Sequence, residues 1–323
     1  MPVDDYFWED LLLHLEERKV IPLVGPELLT VADGDRSLTL GCWLAGRLAR
    51  ALQYPSADLP AACSVNDVVS MHARQRRPRE EIYARIFSLL RTAAFEPPPA
   101  LRTLAGIEDF GLLVALTFDG LLQKAVEQAR PAAAVTSIAY RPTDPRDLPD
   151  PVSAPAGPTV FHLFGKCSPS PDYVICDDDL IEFLHAMQSE HRRPKLLFQE
   201  LQGKHLLILG CSFDDWLSRF LLRIVRDTPF SENRRHRELV VDSASPKPPA
   251  LVMFLSSYSA NTQLVEGYTA ETFNAELNRR WSASRPAAPR PPVQTVDAEE
   301  PADGAVFLSY TSEDRATAQA ITD

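Results

Sequence analysis

Cysteine is scarce and its spacing carries no pattern: Cys42, Cys63, Cys167, Cys176 and Cys211 are far apart and contain no C-x-x-C pair. That argues against a zinc framework and leaves reduced, mostly buried thiols as the expectation. The chain also lacks any run of eighteen apolar residues, and its opening, MPVDDYFWED, carries acids where a secretory signal carries lysine or arginine. No membrane span is expected, and the chain reads as soluble and cytoplasmic. Basic residues are in deficit, 33 against 44 acidic, for a formal charge of −11. A broad nucleic-acid surface is therefore not expected, although a local basic patch is compatible with this balance. The length, 323 residues, suits one large domain plus a fragment.

Apolar spacing supplies the organisation. Phe7, Leu11, Leu12 and Leu15 recur at helical spacing between Asp4 and Lys19, and the apolar run Val20 to Val24 follows as a strand. Helices are expected from Leu38 to Leu52, from Ser64 to Gln75 with Ser64 and Asp67 as capping pair, from Arg79 to Thr92, and after Pro97, Pro98 and Pro99. From Leu112 the pattern alternates: LLVAL then a helix to Gln128, TVFHLF then a helix from Asp177, HLLILG then a helix to Arg226. LVMFL at 251–255 reads as a further strand and Glu271 to Trp281 as a closing helix. Such alternation predicts an α/β fold, a doubly wound parallel sheet of Rossmann type with a helical insertion. Pro131 to Pro158 reads as a long surface loop. The domains are set at 1–282, a proline-rich linker at 283–304 and a terminal fragment at 305–323.

Two charged runs have simple structural readings. Asp177, Asp178 and Asp179 open a helix, where the dipole favours acids, so a metal role is set aside. Arg74, Arg76, Arg77 and Arg79 lack interleaved aromatics and read as a solvated loop.

Function is sought at the carboxyl ends of the strands, where open parallel sheets bind ligands. The first is Val24-Gly25-Pro26-Glu27: Gly25 would let backbone amides approach a phosphate, but Pro26 has no amide hydrogen and Glu27 adds a negative charge. The second is Leu116-Thr117-Phe118-Asp119, where Asp119 reads most simply as a helix N-cap. The third is Phe161-His162-Leu163-Phe164-Gly165-Lys166, in which period two would put His162 and Phe164 on one sheet face. The fourth is Gly210-Cys211-Ser212-Phe213-Asp214, where Gly210 permits close approach, Ser212 offers a hydroxyl and Asp214 can cap a helix.

In order and content these edges resemble the sirtuin family over about residues 5–280, especially the sirtuin-like domains of bacterial antiphage defence proteins. The resemblance implies Gly25, Thr117, Asp119, Gly210 and Ser212 as residues lining a nucleotide, with NAD or ADP-ribose as ligand and no cofactor required. It also implies lost catalysis. Thr117 stands where sirtuins have asparagine, and Phe164 where they have the catalytic histidine, leaving His162 as a displaced candidate base. At the C-terminus, AVFLSYTSEDR (305–315) resembles the opening of a Toll/interleukin-receptor (TIR) domain. Together the resemblances imply a sensing, scaffolding or oligomerising module attached to a TIR domain that hydrolyses NAD. Its partners would be further copies of itself and a phage-derived or nucleotide trigger. Two alternatives stand beside this: a domain that binds NAD or ADP-ribose, and a sirtuin-like NAD hydrolase using His162 or Asp119.

Overall fold

A computed structural model of the chain describes residues 3–55, 63–150, 157–211, 216–226, 236–241 and 261–285. Seven parallel strands form the centre: β1 (Val20–Val24), β4 (Leu112–Ala115), β5 (Thr136–Ala139), β6 (Thr159–His162), β7 (His205–Leu209), β8 (Glu238–Val241) and β9 (Thr262–Leu264). Their order is β5-β6-β4-β1-β7-β8-β9, so the chain first builds one side of β1 and then returns to build the other from β7. That reversal puts the topological switch between β1 and β7. The predicted doubly wound α/β fold is present.

Period two explains the two-sided core. In β1, Val20 and Val24 pack with one apolar cluster while Ile21 and Leu23 pack with the other; Leu207 and Leu209 of β7 join the first, Leu206 and Ile208 the second. The first cluster is covered by α1 (Asp5–Glu16), α2 (Leu40–Ala51), α3 (Val65–Arg74), α4 (Arg79–Ala93), α5 (Pro99–Ala105), α6 (Leu121–Ala129) and α10 (Ala270–Ser284). The second lies under α7 (Asp177–Gln188), α8 (Lys195–Gln202) and α9 (Trp216–Arg226). Helices α2 to α5 are the expected insertion between β1 and β4.

Local chemistry sets several boundaries. Asp4 caps α1 by accepting from the Phe7 amide at 2.9 Å, and Ser64 with Asp67 closes the reciprocal capping box of α3. The acidic start of α7 is more than a dipole effect. Asp179 is buried and accepts from Tyr83 Oη at 2.8 Å, from the Ile175 amide at 3.0 Å and from the Arg79 guanidinium, which also donates to Asp178 at 2.8 Å. Arg79 is thus a clamp between the insertion and α7, not part of a solvated loop. At the other end, α10 docks through Asn274 Nδ2 to the Ala100 carbonyl at 2.6 Å and Trp281 Nε1 to Asp109 at 2.7 Å.

Other expectations needed correction. The span 131–158 is not all loop: Thr136–Ala139 pairs with Thr159–His162 as the edge strand β5. An antiparallel hairpin, β2 (Thr30–Asp33) with β3 (Arg36–Thr39), precedes α2, and α8, β8 and β9 were likewise unforeseen. LVMFL at 251–255 lies outside the described residues.

A buried ion pair joins the second half of the sheet. Arg226 Nε lies 2.6 Å from Glu238 Oε1, Thr262 Oγ1 donates to the other Glu238 oxygen at 2.7 Å, and Arg226 also donates to the Leu201 carbonyl at 2.7 Å. Removing one charge leaves the other uncompensated in the interior. Glu238→Gln is expected to lower the free energy of unfolding by about 3–5 kcal/mol, read from the denaturant midpoint; a loss comparable to that of an exposed-pair variant such as Glu96→Gln would show the pair to be dispensable.

Candidate functional site

The switch between β1 and β7 is where a nucleotide phosphate would be sought, and there the two strand ends close on each other. The Gly25 amide donates to the Leu209 carbonyl at 2.8 Å and the Glu27 amide to the Gly210 carbonyl at 3.1 Å, with Pro26 between them offering no hydrogen. A Cβ on Gly25 would stand 2.3 Å from both Cys211 Sγ and the Gly210 carbonyl oxygen. Gly210, at φ +66°, has the Glu27 Cβ position and the Leu28 amide within 3.2 Å of where its own Cβ would be. Glycine is needed here so that two chains can touch, and burial pushes the Cys211 thiol pKa up. Ser212 and Asp214 lie outside the described residues.

The second edge is also internally satisfied. Asp119 is buried, and its Oδ1 accepts from the Leu121 amide at 2.8 Å while Thr117 hydrogen-bonds the same carboxylate. The N-cap position of α6 belongs to Gly120, so Asp119 makes an Asx-type bond two residues on, one place before the expected cap. Burial raises its pKa, opposed by these hydrogen bonds.

At the third edge the strand ends on His162, and the expected face-sharing fails. Val160 packs with the first cluster and Phe161 with the second, but after His162 the chain turns, Gly165 adopts φ +79°, and Phe164 joins the second cluster. Period two holds only while the strand lasts. His162 is fully buried; the Thr117 backbone lies beside it, yet neither ring nitrogen closes a well-formed hydrogen bond. Burial first, then the charge of Lys166, pulls its pKa down to about 4. An enclosed imidazole can collect no substrate proton from solvent-borne ligand.

An open cavity of about 360 Å³ does remain, between the β4–α6 turn and the end of α4. Phe87, Leu90 and Phe95 supply apolar wall, and Asp119, Lys124 and Cys167 supply polar atoms. Lys124 is held by the Phe95 carbonyl at 3.1 Å and Glu96 at 2.7 Å, and burial pushes the Cys167 thiol up to about 11, so it is no ready nucleophile. The structure therefore brings together Thr117 with Asp119, and Gly25 with Gly210. Lys124, Cys167 and the α4 residues were missed; the one available signal was that Cys167 follows the third edge directly.

Two measurements test this geometry. Gly25→Ala should cost on the order of 2–3 kcal/mol of stability from overpacking, and an unfolding midpoint equal to the parent's would show the strand ends to be less tightly joined. For His162 the folded pKa lies below the unfolded value near 6.5, so its neutral form adds stability that is complete above about pH 6.5 and is lost as pH falls toward 4. His162→Leu should flatten that acid-side slope in a stability-versus-pH series; an unchanged slope would refute the assignment.

No curated protein matches the chain. Residues 112–263 match the family of the SIR2-like domain, a span that begins at β4 and reaches into β9. The first edge, with Gly25 and Glu27, lies before that span. The chain has a Rossmann-like α/β fold, and its residues 112–263 are similar to the SIR2-like domain.

Proposed function

We propose that this chain is a non-catalytic SIR2-like regulatory module, which senses, scaffolds or oligomerises on behalf of a TIR domain in a cytoplasmic, NAD-hydrolysing antiphage defence protein. The observation that carries the regulatory reading is the closed switch: the Gly25 and Glu27 amides are engaged by the carbonyls of Leu209 and Gly210 at the end of β7, where a phosphate would need them free. Phe164 in the apolar core and His162 enclosed and neutral add to it, because neither position offers a general base to a ligand. The TIR part rests on the sequence AVFLSYTSEDR at 305–315, which lies outside the described residues, as do most of the linker 283–304 and the fragment 305–323. Among the described residues no helix is long and apolar enough to cross a membrane. Further copies of the chain and a phage-derived or nucleotide trigger are its proposed partners. Membrane and nucleic acid are not.

A second reading, a retained site for NAD or ADP-ribose, is favoured by the cavity beside Asp119, and a SIR2-like domain is compatible with NAD as ligand. The same experiment addresses both. The full chain is incubated with NAD and nicotinamide is measured, with calorimetry on the same sample. No release and weak or absent binding are expected; release abolished by His162→Ala would overturn the non-catalytic reading, and tight binding would favour the ligand reading.

A further inference from the structure

Helix α1 turns Phe7, Trp8, Leu11 and Leu15 inward, which leaves Tyr6 73% and Leu13 54% exposed. Seven residues apart, they lie one above the other on the outer face. Large apolar side chains so open are few; among the described residues Ile181 is the other. Their rim is acidic. Positions 4–17 hold six acids and no lysine or arginine, and Glu9 and Glu16, exposed beside the pair, make no ion pair among the described residues.

The opposite composition occurs in the helical insertion. Residues 36–93 contain nine arginines, no lysine and four acids, leaving 24 basic against 40 acidic residues in the rest of the chain. Arg74, Arg76 and Arg77 are exposed at the turn between α3 and α4, and Arg85 is exposed two turns along α4. Arg79 is engaged by Asp178 and Asp179, and Arg77 lies 5.9 Å from the centre of the Tyr54 ring. Arg74, Arg76 and Arg85 face no acid partner among the described residues.

We propose that the outer face of α1, Tyr6 and Leu13 within their acidic rim, docks on the arginine-rich α3–α4 turn of a second copy of this chain. The inference rests on the oligomerising reading above and names its surface. Arginine suits the role: its aliphatic stem covers apolar surface and its planar head stacks on tyrosine while pairing with carboxylates. A polyanion such as RNA is the weaker occupant, since a chain of charge −11 repels it at long range and offers it no reason for the exposed Tyr6 and Leu13. The two faces are different surfaces of one protomer, so the contact either pairs reciprocally in a two-fold dimer or repeats head to tail as a ring or filament.

The test is light scattering of the full chain over a concentration series at about 50 mM and about 500 mM salt, with circular dichroism to verify folding. Assemblies that weaken with salt are expected. Arg74→Glu with Arg76→Glu should raise the concentration needed for assembly at least about tenfold, Glu9→Arg with Glu16→Arg should do the same, and the chain carrying all four changes should assemble again to within about threefold of the parent. A chain that is monomeric throughout overturns both this contact and the oligomerising reading. Assembly indifferent to either pair overturns this contact alone. Binding of a labelled RNA or DNA oligonucleotide that the arginine variants abolish, with assembly unchanged, assigns the turn to a polyanion and overturns the proposal.

Discussion

The contact between the ends of β1 and β7 governs what the rest of this molecule can do. Two backbone hydrogen bonds and the absence of a side chain at Gly25 and Gly210 let the strands meet with Glu27, Leu28 and Cys211 wedged around them. In an open parallel sheet this reversal of strand order is the natural crevice for a ligand. Here the amides that could line it are engaged within the protein, and Glu27 brings a carboxylate to the same place. The fold is retained and its usual opening is sealed by the chain's own backbone.

Around that seal, a small number of buried and half-buried charges tie separately arriving elements together. Arg79 and Asp179 join the insertion to α7; Arg226 and Glu238 join α9 to β8 and, through Thr262, to β9. Arg130, at the end of α6, gathers the carbonyls of Ala105, Ile107 and Phe110, from the end of α5 and the loop that leads into β4. Buried charges of this kind are not cheap sources of stability, because desolvation offsets much of the attraction. What they contribute is register: each arginine satisfies partners that only one arrangement of the elements presents.

The distribution of charge completes this picture. An acidic chain places nine arginines in one helical insertion and removes every lysine and arginine from its first helix. The surface is where the sequence is most polarised.

Periodicity and turn chemistry were enough to read the sheet's centre from sequence. Val20 to Val24 and LLVA are unbroken apolar runs, and TVFH and HLLIL are apolar but for their terminal residues, because both faces of each strand are buried, and Ser64 with Asp67 announces its helix by local hydrogen bonding alone. β5 escaped because Thr136–Ala139 is an edge strand, half-exposed and set among prolines, so its residues need little apolar character. The hairpin Thr30–Thr39 escaped for the same reason. At the candidate site, Gly25 and Gly210 matched the resemblance, while Pro26 and Glu27 spoke against phosphate binding and Thr117 and Phe164 against catalysis, since missing amide and imidazole groups can be read one residue at a time. Tertiary structure alone decided the rest. That Phe164 turns to the face opposite Val160, that Glu27 donates its amide to Gly210, and that Arg79 reaches Asp179 a hundred positions away all depend on contacts distant in sequence. Local pattern carries the direction of a strand, but which strand ends meet, and whether they leave a gap, is set by the packing of the whole sheet.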